Sequence, residues 1–164
     1  MNIFEFAMKM EEDGRAFYLE HAEKAENPAL KRVLNEMAND ELKHYKIFEA
    51  MRNQETAEYM DNNKTTIIDT IKNVFEQLKE DNKDFTSELD FRKIWEVALE
   101  TEKKAESFYR EKADEVDDEN NKGILIKIAD EEHNHWVAIE NVIQFLDKPK
   151  RWLEDAEWGD LETY

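Results

Sequence analysis

Glu41 and His44 stand three residues apart, and so do Glu132 and His135. On a helix, positions i and i+3 share a face, so a carboxylate and an imidazole at this spacing can reach one point. Either pair alone is a weak signal, because glutamate is frequent in this chain and such a pair is more often a solvated helix face. The third member raises the signal. Glu11 lies 30 residues before Glu41, and Glu102 lies 30 before Glu132. If a turn falls midway in each case, near Pro28 and near Glu119, Glu, Glu and His come level with one another on an antiparallel pair of helices. Two such pairs supply four carboxylates and two imidazoles. Burying four carboxylates unpaired would cost more than the whole stability of a domain, and a pair of metal ions is the natural compensation. Carboxylate with imidazole and without thiolate suits iron, manganese or zinc. His21 and His133 are expected on exposed faces.

Four long amphipathic segments position these residues. Helix A is predicted from about Asn2 to Glu26, with Ile3, Phe6, Ala7, Met10, Phe17 and Ala22 at spacings of three and four. Asn27-Pro28 ends it, and Pro28 suits the first position of helix B, which is predicted to run to about Tyr59. Helix C is predicted from Ser87 to about Val116, and helix D from after Asp117-Asp118 to before Asp147-Lys148-Pro149. The A–B and C–D connections are short, so each pair is an antiparallel hairpin. The B–C connection, about residues 60–86, is long and holds a helical patch from Ile67 to Leu78. The expected architecture is all-α: an antiparallel four-helix bundle of two hairpins over residues 1–146, joined by this crossover. A tail, residues 147–164, carries Trp152 and Trp158.

Shifting the chain by 91 residues overlays residues 3–50 on 94–141 without a gap, and 14 of the 48 positions are identical. Glu11/Glu102, Phe17/Phe108, Tyr18/Tyr109, Glu41/Glu132 and His44/His135 are among them. An ungapped match across two helices and a turn points to a duplicated hairpin and a pseudo-twofold bundle.

Composition narrows the function classes. The chain has 164 residues, 41 acidic and 23 basic side chains, a net charge of −18 and no cysteine. No disulfide, thiolate zinc site, iron–sulfur cluster or cysteine nucleophile can form. The acidic excess argues against a nucleic-acid or anionic-membrane partner and suits attraction of cations. No nucleotide loop, Gly-rich motif or substrate pocket is evident, so no organic substrate is implied. Neither a signal peptide nor a membrane-spanning helix is expected, and a cytoplasmic location follows as the expectation.

Glu11-(x6)-Tyr18, Asp40-Glu41-x-x-His44, Glu102-(x6)-Tyr109 and Glu131-Glu132-x-x-His135 together resemble the ferritin-like superfamily, in its rubrerythrin and bacterioferritin branch. The resemblance covers the four helices. It implies a di-iron centre in which Glu41 and Glu132 bridge the metals, Glu11 and Glu102 are terminal ligands, and His44 and His135 each cap one metal. No catalytic residue beyond these ligands is implied. Tyr18 and Tyr109 are candidates for hydrogen bonds to the ligands, or plain core aromatics. Asp40 would orient His135 and Glu131 would orient His44, fixing the tautomer. The implied activity is oxidation of Fe(II) and reduction of O₂ or H₂O₂, as a ferroxidase or a rubrerythrin-like peroxidase with an external electron donor. The alternative is an iron-binding or iron-storage protein without significant turnover. Two features depart from rubrerythrins. Their second glutamate one turn from the helix C ligand is absent at position 99, which holds Leu99. A cysteine-rich rubredoxin domain is excluded as well. The six-residue set is closer to the symmetric bacterioferritin centre. A homodimer is expected.

Overall fold

A computed structural model of the chain describes residues 2–55, 57, 59, 64–81 and 92–147. Among them are five helices and no strand: α1 Ile3–Lys24, α2 Pro28–Arg52, α3 Ile67–Asp81, α4 Arg92–Glu115 and α5 Glu119–Asp147. The starts are capped by side chains. The Asn2 carboxamide oxygen accepts the Glu5 amide at 2.8 Å, and Asn27 accepts those of Ala29 and Leu30 at 2.8 and 3.2 Å, with Pro28 opening α2. Asp118 accepts the Asn121 amide at 2.9 Å ahead of α5.

α2 stops seven residues short of the predicted Tyr59. The amide of Glu55 donates to the Ala50 carbonyl at 3.0 Å and that of Gln54 to Met51 at 3.2 Å, with Gln54 at φ 59°. This is the closure in which a left-handed residue follows the C-cap; glycine usually fills that place, so nothing in the sequence marked the stop. Beyond it Ala57 is buried and the Tyr59 hydroxyl reaches Glu131 of α5. The patch in the crossover is a helix, α3, slightly longer than predicted. The predicted start of helix C at Ser87 and the tail with Trp152 and Trp158 lie outside the described residues. His21 and His133 are half-buried, not exposed: His21 meets the Phe17 ring edge-on, and His133 Nδ1 lies 3.1 Å from Glu106.

α1 packs on α2 and α4 on α5 along their lengths, and α3 lies across α2 and α5. The apolar interior has two parts. Leu30, Leu34, Met37, Trp95, Ile139 and Phe145 gather under α3 with its Ile67, Ile71 and Phe75. Ala7, Phe48, Tyr109, Leu125 and Ile128 fill the other end. On each of the four long helices the residues between these parts are polar: Glu11, Glu41 with His44, Glu102, and Glu132 with His135. The fold is thus an all-α bundle whose core is interrupted at mid-height by one polar layer. No helix among the described residues is long and apolar enough to cross a membrane.

Phe75 ties α3 to this bundle; it is fully buried and its ring lies 5.2 Å from that of Phe145. Phe75→Ala is expected to lower unfolding stability by about 3–5 kcal/mol through lost transfer energy and a cavity. Urea denaturation measures it, and a loss below about 1 kcal/mol would mean that α3 is not part of the cooperative core.

Candidate metal centre

The six residues singled out by spacing meet in the polar layer, each at most 4% exposed. Glu11, Glu41, His44 and Glu132 offer donor atoms within 4.8 Å of one another, and Glu41, Glu102, Glu132 and His135 form a second such group. Glu41 and Glu132 belong to both groups. His44 Nδ1 lies 3.4 Å from Glu11 Oε2 and 3.0 Å from Glu132 Oε1. His135 Nδ1 lies 3.3 Å from Glu102 Oε1 and 3.4 Å from Glu41 Oε1. The imidazoles stack with centroids 6.2 Å apart.

The outer ring nitrogens face acids. His44 Nε2 is 3.0 Å from Glu131 Oε1, and His135 Nε2 is 3.0 Å from Asp40 Oδ2. Each acid therefore receives the Nε2–H of the histidine of the opposite half, which leaves Nδ1 directed at the cluster. The tyrosines also cross between halves. Tyr18 of α1 donates to Glu102 Oε1 of α4 at 2.5 Å, and Tyr109 of α4 donates to Glu11 Oε1 of α1 at 2.7 Å. Each hydroxyl thus spends its proton on one carboxylate oxygen and leaves the other for the centre.

Electrostatics disfavour four ionised carboxylates in such a layer. Burial, then the charges of Glu11, Glu132 and Glu102, hold the Glu41 carboxyl well above the usual carboxylate range. Burial and the charges of Glu102 and Glu11 do the same for Glu132. Burial would raise Glu102 too, but the His135 charge and hydrogen bonds with Glu132, His135 and Tyr18 outweigh it and bring it down to about 2. Burial would lower both histidines, yet Glu11 and its neighbours raise His44, and Glu102, Asp40 and Glu41 raise His135. The layer therefore holds protons where cations would otherwise sit. Burial chiefly, then the neighbouring carboxylates, keeps Tyr18 and Tyr109 neutral.

Donor chemistry is the test of whether a metal pair fits. Glu11 Oε2, Glu41 Oε1, His44 Nδ1, Glu102 Oε2 and Glu132 Oε1 are buried and have no hydrogen-bond partner. Buried polar atoms are rarely left so. Five of the six residues of the two groups contribute such an atom; the sixth, His135, has Nδ1 against Glu102, and Trp95 Nε1 is a further unpartnered atom outside the layer. The residues fit two ions with two shared carboxylates.

Three contributions escaped sequence reasoning. Tyr59 donates to Glu131, and Thr65 Oγ1 donates to Asp40 Oδ2 at 2.5 Å. Both come from the crossover, outside the repeat, and each supports an acid that holds a histidine. Gly14 is the third: a Cβ there would meet Glu41 Oε2 at 2.9 Å, so glycine leaves that carboxylate its place. Leu99 packs on the apolar core; the neighbour of Glu102 one turn along that faces the centre is Ala105. A cavity of about 320 Å³ between α1 and α4 reaches the carboxylates, which no motif announced.

An orienting role for Asp40 predicts a graded loss. Asp40→Ala is expected to weaken metal affinity about 10- to 100-fold, and Thr65→Val by less, in competition with a chromophoric chelator. Unchanged affinity in Asp40→Ala would remove that role.

Fold and site together define the class: a ferritin-like helical bundle with a buried carboxylate–imidazole cluster suited to two metals. The family model described as rubrerythrin matches residues 2–143, and the chain belongs to the rubrerythrin family. Neither the curated proteins nor the solved structures compared with it give a match.

Proposed function

We propose that the chain is a non-haem di-iron protein that oxidises Fe(II), reduces O₂ or H₂O₂, or couples the two. Glu11, His44 and the shared Glu41 and Glu132 would hold one ion; Glu102, His135 and the same two glutamates would hold the other. The observation that carries this reading is the pair of buried four-residue donor groups with two members in common. A carboxylate-bridged iron pair supplies two one-electron steps to O₂ or peroxide, and manganese or zinc would suit the same donors.

The protein residues have distinct tasks in this reading. Tyr109 and Tyr18 hold the terminal carboxylates of Glu11 and Glu102. Glu131 and Asp40 set the imidazoles with Nδ1 inward. The apolar clusters on both sides keep bulk water from the layer. The small reactants are Fe(II) with O₂ or H₂O₂, in the cytoplasm, and peroxidase turnover would need an external electron donor.

Anaerobic titration with Fe(II), followed by stopped-flow mixing with O₂ and separately with H₂O₂, tests the proposal. About two Fe(II) per chain and oxidation faster than in a Glu41→Ala control are expected, as the shared-donor geometry requires. No binding, or oxidation no faster than in that control, refutes it. Iron storage is the second reading, favoured by the net charge of −18, which draws cations. Size-exclusion chromatography separates the two: a cage of many subunits favours storage, and a monomer or dimer favours the oxidoreductase.

A further inference from the structure

The cavity between α1 and α4 is larger than an oxidant requires. Its volume is about 320 Å³. A water molecule occupies about 30 Å³ of liquid, and O₂ or H₂O₂ is of similar scale, whereas an apolar cavity of about 150 Å³ holds benzene. The volume falls at the lower end of small-molecule sites, roughly 300–1,000 Å³. Small residues create it. Gly14 and Ala105 both line it, and they occupy equivalent positions in the two halves of the internal repeat.

The walls set the chemistry of an occupant. Met10, Phe17, Ala98 and Ala105 are apolar. The polar groups of the walls are already engaged, and the unpartnered oxygens are those of the carboxylates at the floor. Thr101 donates to the Val97 carbonyl at 2.9 Å, the two tyrosine hydroxyls donate to Glu11 and Glu102, and Asp13 at the rim pairs with Lys9 at 2.9 Å. The floor is formed by the carboxylates of the centre, which disfavour an anion, while apolar walls disfavour any charge. No hydrogen-bond donor is left to receive a polar ligand.

We propose that this cavity binds an uncharged, apolar small molecule about the size of a substituted benzene ring, seated against the edge of the carboxylate layer. This site depends on the packing of α1 and α4 and needs no metal. Toluene is the probe, titrated into the full chain carrying ¹³C-labelled methionine methyls, in zinc-supplemented buffer. Saturable binding that shifts the Met10 methyl is expected. Benzoate, which adds a negative charge to the ring, is expected to bind at least about tenfold more weakly. Ala105→Leu fills the cavity and Thr101→Trp covers its mouth from an exposed position; each is expected to weaken toluene by about tenfold or more. Thermal melts confirm that the variants fold, and Thr101→Trp remains informative if Ala105→Leu does not. The proposal is overturned by absence of saturation up to the solubility of toluene, by unchanged binding in the folded variants, or by tighter binding of benzoate. Zinc content measured on the same samples reports on the metal reading separately.

Discussion

Glu41→Ala and Glu132→Ala are each expected to abolish metal loading at both positions, taking bound Fe(II) or Zn(II) from about two per chain to near zero, because both donor groups contain both residues. His44→Ala should behave differently. It leaves Glu41, Glu102, Glu132 and His135 complete, so about one ion per chain should remain. The difference between shared and unshared members is what distinguishes a paired centre from two independent sites. Folding effects separate cleanly. In metal-free protein the mutation removes a buried carboxyl whose ionisation burial and the neighbouring acids oppose, so Glu41→Ala should be neutral or stabilising despite the lost volume. Metal content by atomic absorption, read beside a thermal melt, checks both statements. Equal losses in Glu41→Ala and His44→Ala would contradict the sharing, and unchanged content in both would mean that the layer holds no metal.

The second large effect concerns pH. Glu41 and Glu132 titrate above the ordinary 4.5, and His44 and His135 above the ordinary 6.5. A group raised in the folded state stabilises fully below its unfolded value and loses that contribution as pH rises through the folded one. Metal-free protein should therefore weaken progressively above pH 4.5, and further above 6.5. Glu102, at about 2, and Asp40, below 3.8, act with the opposite sign. Their contribution is present above the ordinary carboxylate values and is lost as pH falls toward 2. Metal ions would replace the protons on the raised groups, so binding should release protons and strengthen with pH. At a thousandfold excess over the dissociation constant, one ion stabilises by about 4 kcal/mol. In a domain of this size that is a rise of roughly 8–16 °C in Tm. Calorimetry at pH 6 and pH 8.5, with and without Zn(II), measures the effect. A metal-free Tm that stays level or rises between those values would refute the charge account. A metal-induced shift that is absent at both would refute the site.

The two sets of expectations start from residues of different legibility. The periodicity of apolar residues states which face of each helix turns inward, and it places the described ends of the four long helices to within a few residues except at the end of α2. Glu11, Glu41, His44, Glu102, Glu132 and His135 lie on those inward faces, and equal separations of 30 bring them to one height, so the six could be picked out before any coordinates. The acids at 40 and 131 were singled out only through the family resemblance. The stop at Asn53 was not, because Gln54 adopts a left-handed conformation that its residue type does not advertise. Tyr59 went unnoticed because helix B was expected to run on to it, and Thr65 because it lies in the crossover, where no repeat constrains what a side chain meets.

The sequence by itself thus determined the helices, the internal repeat and the six residues that meet in the polar layer, since each depends on spacing along one chain segment. Only the tertiary structure decided the crosswise pairs Tyr18–Glu102 and Tyr109–Glu11, the support of Asp40 and Glu131 by the crossover, and the cavity beside Gly14 and Ala105. The physical reason is that helical spacing specifies direction around a helix axis but not which neighbour stands across from it. Partner choice and empty volume arise only when separate helices pack at a particular distance and register.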